Sequence, residues 1–314
     1  MQTPIADPEP IMTLLEAGIL GLVEGITEYL PVSSTGHLII TAALLGLDEP
    51  AETKAAVDAF NIVVQGGAIL AVLGLYWPRV VQMLAGLVGK NPAGLKLAVN
   101  IIVAFLPAAV LGVLLNDWIE AKLFNPTMVL TALALGGVFM IVLDRVKVRP
   151  MRRADAASES GAPDAATEHD RGHEIEELSW RGALAIGFLQ CVAMWPGTSR
   201  SMMTIAGGVL AGLRPKAAAE FSFLLGLPTL GGACVYSLAK NLLESREAGV
   251  PNMFEVLGIA PIVVGLVVAT ISAAIAVRWL VGFLNKHGLE VFGWYRLVLC
   301  AVLGGLLALG VVAF

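Results

Sequence analysis

The sequence predicts an all-α polytopic membrane protein: six transmembrane helices plus two re-entrant helix hairpins arranged as an inverted repeat. Three observations carry this. The chain has 314 residues, 57% of them AVILMFWYC and only 14% charged, against about 25% charged in a typical soluble domain. Apolar runs of about 20 residues recur at 60–77, 97–115, 127–143, 221–238, 256–277 and 291–314, each long enough to cross a hydrocarbon core of about 30 Å. Two further apolar regions, 11–47 and 180–213, are each broken midway by Pro and small hydroxyl residues.

The first broken region opens the fold. Its start, residues 1–10, has no basic stretch and carries Asp7 and Glu9, which reads against a cleaved signal peptide. The break falls at Pro31-Val32-Ser33-Ser34-Thr35, and neither flank alone spans a bilayer. The simplest reading is a helix–turn–helix that enters the membrane and returns, tolerated at depth where it is buried in protein or lines a wet cavity. Three spans follow. Residues 154–178, rich in Ala, Ser, Gly, Asp and Glu, read as a solvated, partly disordered cytoplasmic linker. The second broken region turns at Pro196-Gly197-Thr198-Ser199-Arg200-Ser201, and three more spans complete the chain. Cys191, Cys234 and Cys300 sit in apolar runs without metal-ligand spacing and read as packing residues.

The two halves echo each other. Gly21-Leu22-Val23-Glu24 aligns with Gly187-Phe188-Leu189-Gln190, and Pro31-Val32-Ser33-Ser34 with Pro196-Gly197-Thr198-Ser199. Phe60-Asn61 answers Phe221-Ser222, Pro107 answers Pro261, and Gly136-Gly137 answers Gly304-Gly305. The expected units are a first repeat at 1–144, a polar linker at 145–179 and a second repeat at 180–314. Loop charge sets orientation by the positive-inside rule. Arg79, Lys90 and Lys96 mark one cytoplasmic loop, and Arg145, Lys147, Arg149, Arg152, Arg153, Arg214 and Lys216 another. Arg278, Lys286 and Arg296 mark the last. Asp48, Glu49, Glu52 and Asp58 place the segment before the first span outside, and a short acidic loop is expected at 117–122. Both termini then lie outside. Three spans per half is an odd number, so the halves are inverted and their hairpin tips meet near the midplane.

Chemistry concentrates at those tips. Glu24 and Glu28, spaced i, i+4, share one helix face. A lone charge at a helix centre costs roughly 2.5–3.5 kcal/mol in the membrane, so this pair in an apolar helix needs partners or a function. Ser33, Ser34 or Thr35 is suited to cap the following helix, with His37 in its first turn. Thr198 or Ser199 caps the counterpart, which Arg200 and Ser201 open. Two helix N-termini converging with an Arg fork make a phosphate site. Gln65 in a span and Glu220 at the start of another either bridge helices or join the site, and Thr204 lies one turn beyond Arg200.

The stretch Glu24-Gly25-Ile26-Thr27-Glu28-Tyr29-Leu30-Pro31-Val32-Ser33-Ser34-Thr35-Gly36-His37, together with Pro196-Gly197-Thr198-Ser199-Arg200-Ser201 and Glu220-Phe221-Ser222-Phe223-Leu224-Leu225-Gly226-Leu227-Pro228, closely resembles the bacterial undecaprenyl-diphosphate phosphatases, the bacitracin-resistance proteins. Met202, Asn61 and a longer linker depart from that pattern. The resemblance implies hydrolysis of the lipid carrier diphosphate to its monophosphate at the plasma membrane, an outward-open site and a divalent cation, magnesium or calcium. It leads us to expect Glu24 and Glu28 in metal binding or acid–base work, Ser34 as nucleophile, His37 as general base or acid and Arg200 on the phosphate. Ser33, Thr35, Gln65, Thr198, Ser199, Ser201, Thr204 and Glu220 are expected to bind substrate. A direct attack by His37 is the alternative. Ser34-Thr35-Gly36-His37 and Ser199-Arg200 also echo another membrane lipid phosphatase family, whose later His is replaced here by Ala206. The expected partners are the polyprenyl diphosphate and the bilayer, with no nucleic acid; a homodimer is compatible with the sequence. The rival class is a transporter or flippase of the carrier, because inverted repeats of broken helices are transporter architecture.

Overall fold

The computed structural model describes residues 11–47, 51–159, 172–249 and 251–312. Asp7, Glu9, Asp48, Glu49 and the linker core at 160–171 lie outside the described residues. Thirteen α-helices are described: α1 Leu14–Thr27, α2 Ser34–Leu44, α3 Ala51–Leu75, α4 Trp77–Leu87, α5 Pro92–Leu123, α6 Pro126–Leu143, α7 Arg149–Glu159, α8 Trp180–Val192, α9 Arg200–Leu210, α10 Pro215–Ala248, α11 Met253–Leu257, α12 Ile259–His287 and α13 Glu290–Ala308. Among the described residues, six stretches are long and apolar enough to cross a membrane: Ala56–Leu75, Pro92–Asn116, Pro126–Ala156, Pro215–Glu247, Ile259–His287 and Glu290–Ala308.

The breaks follow local chemistry. Thr13 caps α1 in a capping box with Glu16, and Ser179 caps α8 through the Gly182 N–H. Asn91-Pro92 and Asn125-Pro126 each place a capping amide before a proline at the first helical position, where its missing N–H costs nothing. Two expected loops therefore shrink. Residues 77–87 form α4, and α5 runs on through 117–122, leaving only Phe124 and Asn125 before α6. The expected linker is described at its two edges. A π-turn, Asp144–Val148, carries α6 into α7, and a 3-10 turn, Ile175–Glu177, buries Ile175 beside Leu178. Those two apolar side chains, embedded in the polar linker composition, dock it.

The helices pair in a pattern that survives exchange of the halves. α1 packs along α12, and α8 along α5; α3 packs on α10, and α6 on α13. The tightest crossings use glycine. A Cβ on Gly21 would lie 2.5 Å from the Gly265 carbonyl oxygen of α12, and one on Gly187 would lie 2.6 Å from that of Ala104 in α5. Gly137 and Gly293 meet in the same way between α6 and α13. This pattern is compatible with the inverted repeat. The proline match is not structural: Pro107 lies in the interior of α5, whereas Pro261 sits in the first turn of α12.

Each pair α1–α2 and α8–α9 is a helix–turn–helix too short to span. The base of α1–α2 packs beside the start of α3 and α11, with Met12, Leu20, Leu47, Val57 and Met253 in one cluster. The base of α8–α9 adjoins the 3-10 turn, whose Glu176 pairs with Arg79 just beyond the end of α3. A helix of 25 residues is roughly 37 Å long, so the two hairpins start from opposite ends of the bundle. Their tips touch: Ser201 Oγ donates to the Leu30 carbonyl at 2.9 Å.

The basic residues gather at the α8–α9 end. Arg79 pairs with Glu176 and Glu220, Arg214 with Glu174 and Asp155, and Arg145 and Arg149 with Glu290. Arg296 is the exception and a correction. It lies inside α13 with no exposed surface, so it marks no loop. Carbonyls hold it there, those of Ala132 and Gly197 accepting from its Nη2 at 3.1 and 2.8 Å. The three cysteines are free.

Candidate active site

The α1 helix carries Glu24 and Glu28 on the face turned toward α3, and both are almost fully buried. Glu28 collects three donors: Ser34 Oγ at 2.9 Å and Gln65 Nε2 at 3.3 Å on Oε2, and Arg200 Nη2 at 3.3 Å on Oε1. Arg200 therefore crosses from the second hairpin to the first. Its guanidinium also donates to the Ser222 carbonyl at 3.1 Å and lies 5.4 Å from the centre of the Tyr29 ring. Gly226 makes room for it, since a Cβ there would sit 3.1 Å from Arg200 Nη1. Glu24 differs: its Oε1 is buried with no hydrogen-bond partner, as is Oδ1 of Asn61, one turn before Gln65 on α3.

The helices that follow the tips begin alike. Ser33 (φ 73°) and Ser199 (φ 76°) are the two non-glycine residues with positive φ among the described residues, a conformation costing about 1–3 kcal/mol that surrounding contacts must hold. Both are N-cap residues. Ser199 accepts from the Met202 N–H and meets Ser201 Oγ at 3.0 Å, whereas Ser33 makes no side-chain cap and its buried Oγ has no partner. The expected capping role is thus met at Ser199 and not at Ser33.

His37 sits one turn into α2, but not against Ser34. Its Nδ1 is 2.7 Å from the Ser33 carbonyl and its Nε2 is 2.7 Å from Tyr295 Oη. A carbonyl only accepts, so Nδ1 carries the proton and the Nε2 lone pair accepts from Tyr295. The base within reach of Ser34 is Glu28.

Of the remaining sequence-chosen residues, Thr204 bonds the Arg200 carbonyl and Ser222 Oγ, and so supports Arg200 from behind. Thr198 is buried in the second tip, and Thr35 is half-buried in the first turn of α2. Glu220 bridges helices: it lies two residues before Ser222 on α10, and Arg79 Nε of α4 donates to it at 2.7 Å. Gln190, the counterpart of Glu24, is buried and accepts from Thr229 Oγ1 at 3.3 Å. Sequence reasoning missed Tyr29, Ser222, Tyr295 and Arg296. Arg296 gave a signal, an arginine inside an apolar run, but its nearness to Lys286 led it to be counted with a loop.

Six spans around a buried carboxylate–hydroxyl–guanidinium cluster, assembled from two helix tips, define a polytopic membrane protein with a buried polar centre. The bacitracin resistance protein BacA family model matches residues 17–302. The chain belongs to that family. Among its relatives are proteins named undecaprenyl-diphosphatase from Sorangium cellulosum, 43% identical and covering 93% of this chain and 85% of the relative, and from Cereibacter sphaeroides, 39% identical and covering 94% and 98%. A protein named undecaprenyl-diphosphatase 2 from Rhodospirillum rubrum is 43% identical, covering 91% and 92%.

Proposed function

We propose that this protein is an integral membrane phosphatase that hydrolyses undecaprenyl diphosphate to undecaprenyl phosphate and inorganic phosphate. It would thereby recycle the lipid carrier for cell-wall synthesis and confer bacitracin resistance. The observation that carries the reading is the meeting of Arg200 from one hairpin with Glu28 and Ser34 of the other. Phosphoryl transfer demands mainly positioning and charge neutralisation, and these residues supply both.

In the resting site Arg200 covers Glu28. The terminal phosphate of the substrate competes for the guanidinium, which frees the Glu28 carboxylate to take the Ser34 proton. Ser34 Oγ attacks the terminal phosphorus, the bond to the bridging oxygen breaks, and the lipid monophosphate leaves. The proton on Glu28 passes to the departing lipid monophosphate; water then cleaves the phosphoserine, giving a proton to Glu28, which returns it to Ser34 Oγ as inorganic phosphate departs. Ser199, Ser201, Thr198 and Thr204 shape the second tip around Arg200; Ser33 and Thr35 shape the first, and Gln65 steadies Glu28.

A magnesium or calcium ion fits the oxygen donors here. Glu24, whose Oε1 lacks a partner, would hold it together with Glu28. When bound, the ion supplies neutralisation of phosphate charge. The chain would divide into repeats 1–144 and 180–314 joined by 145–179, with both hairpins re-entrant. The basic belt would face the cytoplasm of a bacterial inner membrane, leaving the α1–α2 side and the site open outward. The test is phosphate release from farnesyl diphosphate by purified protein in detergent, with and without chelator. Release abolished by Arg200→Ala supports the reading, and absence of release from the wild type points to a flippase instead.

A further inference from the structure

The last helix contributes two adjacent residues that no step above uses. Tyr295 Oη reaches His37 Nε2 at 2.7 Å, and the opposite ring nitrogen of His37 donates to the carbonyl of Ser33. Arg296 Nη2 reaches the carbonyl of Gly197 at 2.8 Å. Ser33 has φ 73° and Gly197 φ 90°, so each chain of hydrogen bonds ends on a left-handed residue in one hairpin tip. Ser33 immediately precedes Ser34, and Gly197 lies three residues before Arg200.

Arg296 is built in at some expense. It is fully buried, its Nε and Nη1 have no partner, and no carboxylate pairs with it among the described residues. Gly136 of α6 is shaped around it, since a Cβ there would lie 2.5 Å from Arg296 Nη2. A buried, unpaired guanidinium is a costly way to hold two carbonyls unless their placement matters. The Tyr295 ring lies nearly parallel to that of His37, at 4°, so the hydroxyl and the stacked ring restrain the imidazole together.

We infer that Tyr295 and Arg296 form a positioning pair. From one rigid helix they hold the two left-handed tips in register, so that Ser34 and Glu28 of the first face Arg200 of the second. The Ser33 carbonyl holds His37 as the Nδ1–H tautomer, and Tyr295 keeps its Nε2 lone pair occupied. In the resting site, His37 braces the Ser33 carbonyl rather than taking the serine proton. The kinetic consequence rests on the phosphatase reading; the tautomer does not.

The test compares the full-length wild type with Tyr295→Phe and Arg296→Lys in detergent, by farnesyl diphosphate kinetics and by nitrogen NMR of ring-labelled histidine, with His37→Gln to assign the signal. Tyr295→Phe removes one hydroxyl on a side chain that is 46% exposed, so the fold persists. Its kcat should drop about tenfold, the scale of one lost hydrogen bond, with KM within about twofold. The His37 Nε2 resonance should move from its hydrogen-bonded position, while Nδ1 keeps its proton on the Ser33 carbonyl. Arg296→Lys should lower kcat while leaving the His37 resonances in place, because it acts on the other tip. Unchanged His37 resonances in Tyr295→Phe, or an unchanged kcat in both variants, would overturn the positioning pair. If the wild type releases no phosphate, the phosphatase reading fails, while the nitrogen spectra still decide the bracing of His37.

Discussion

Replacing Ser34 by Ala and Glu28 by Gln, singly and together, makes a cycle governed by one distance. Ser34 Oγ donates to Glu28 Oε2 at 2.9 Å, and both nitrogens of His37 are engaged elsewhere. If Glu28 takes the serine proton, each single change removes the same event. A positioned base contributes about 10²–10⁴ in rate, or roughly 2.7–5.4 kcal/mol at 1.36 kcal/mol per decade. Each single variant should therefore lose at least about 10² in kcat. Groups that act as a unit are non-additive, so the double variant should fall no more than about threefold below the worse single one. The assay is phosphate release from farnesyl diphosphate at saturating substrate, with melting temperatures to confirm folding. Losses that multiply, towards about 10⁴ or beyond, would refute the pairing, and full activity in Ser34→Ala would refute the serine nucleophile.

Three further outcomes follow from the packing and the charged belt. Gly25→Ala should destabilise the protein by about 1–3 kcal/mol, because its Cβ would lie 2.4 Å from the Ala269 carbonyl oxygen; Gly18→Ala, with its nearest atom at 3.8 Å, should be near neutral in the same thermal melt. Ser33→Gly should raise stability by about 1 kcal/mol by relieving the left-handed serine, and a lowered melting temperature would show that the conformation carries no strain. Partial burial pushes the Glu176 carboxyl up, but its own backbone N–H, Arg79 and Lys96 pull it down further, leaving it below its usual value of 4.5. Its stabilising contribution is therefore present above that value and is lost as pH falls through the lowered one. Glu176→Gln should cost under about 1 kcal/mol at neutral pH, since the pair is partly exposed, and nothing in strong acid; a cost that persists in acid would contradict the ion pair.

The six spans were legible because apolar length is a one-dimensional property, and α3, α5, α6, α10, α12 and α13 fall on the expected runs. The tips were legible because Glu28, Ser34 and Arg200 are expensive in an apolar setting and so stand out. What escaped detection depends on where a side chain points. Glu220 and Arg79 look like separate charges until folding joins them. Tyr295 resembles any membrane-face tyrosine, and only the fold brings it to His37, 258 positions away in sequence. Glycine contacts, not the matched prolines, mark equivalent crossings, because close approach is set by the absence of a side chain at a single point.

The packing of α1 on α12, and of α8 on α5, has a consequence for how the protein is made. Arg200 follows Glu28 by 172 residues, and Ser272, which donates to the Gly21 carbonyl, follows it by 251. At about 5–20 residues per second, the first hairpin waits roughly 9–34 s for its guanidinium, and longer for the helix that buries its glycine face. During that interval two carboxylates lack the surroundings that make them tolerable in lipid. The first hairpin therefore reaches its buried place only after most of the chain has been synthesised. A chain that stops before α12 lacks the helix against which Gly21 and Gly25 pack.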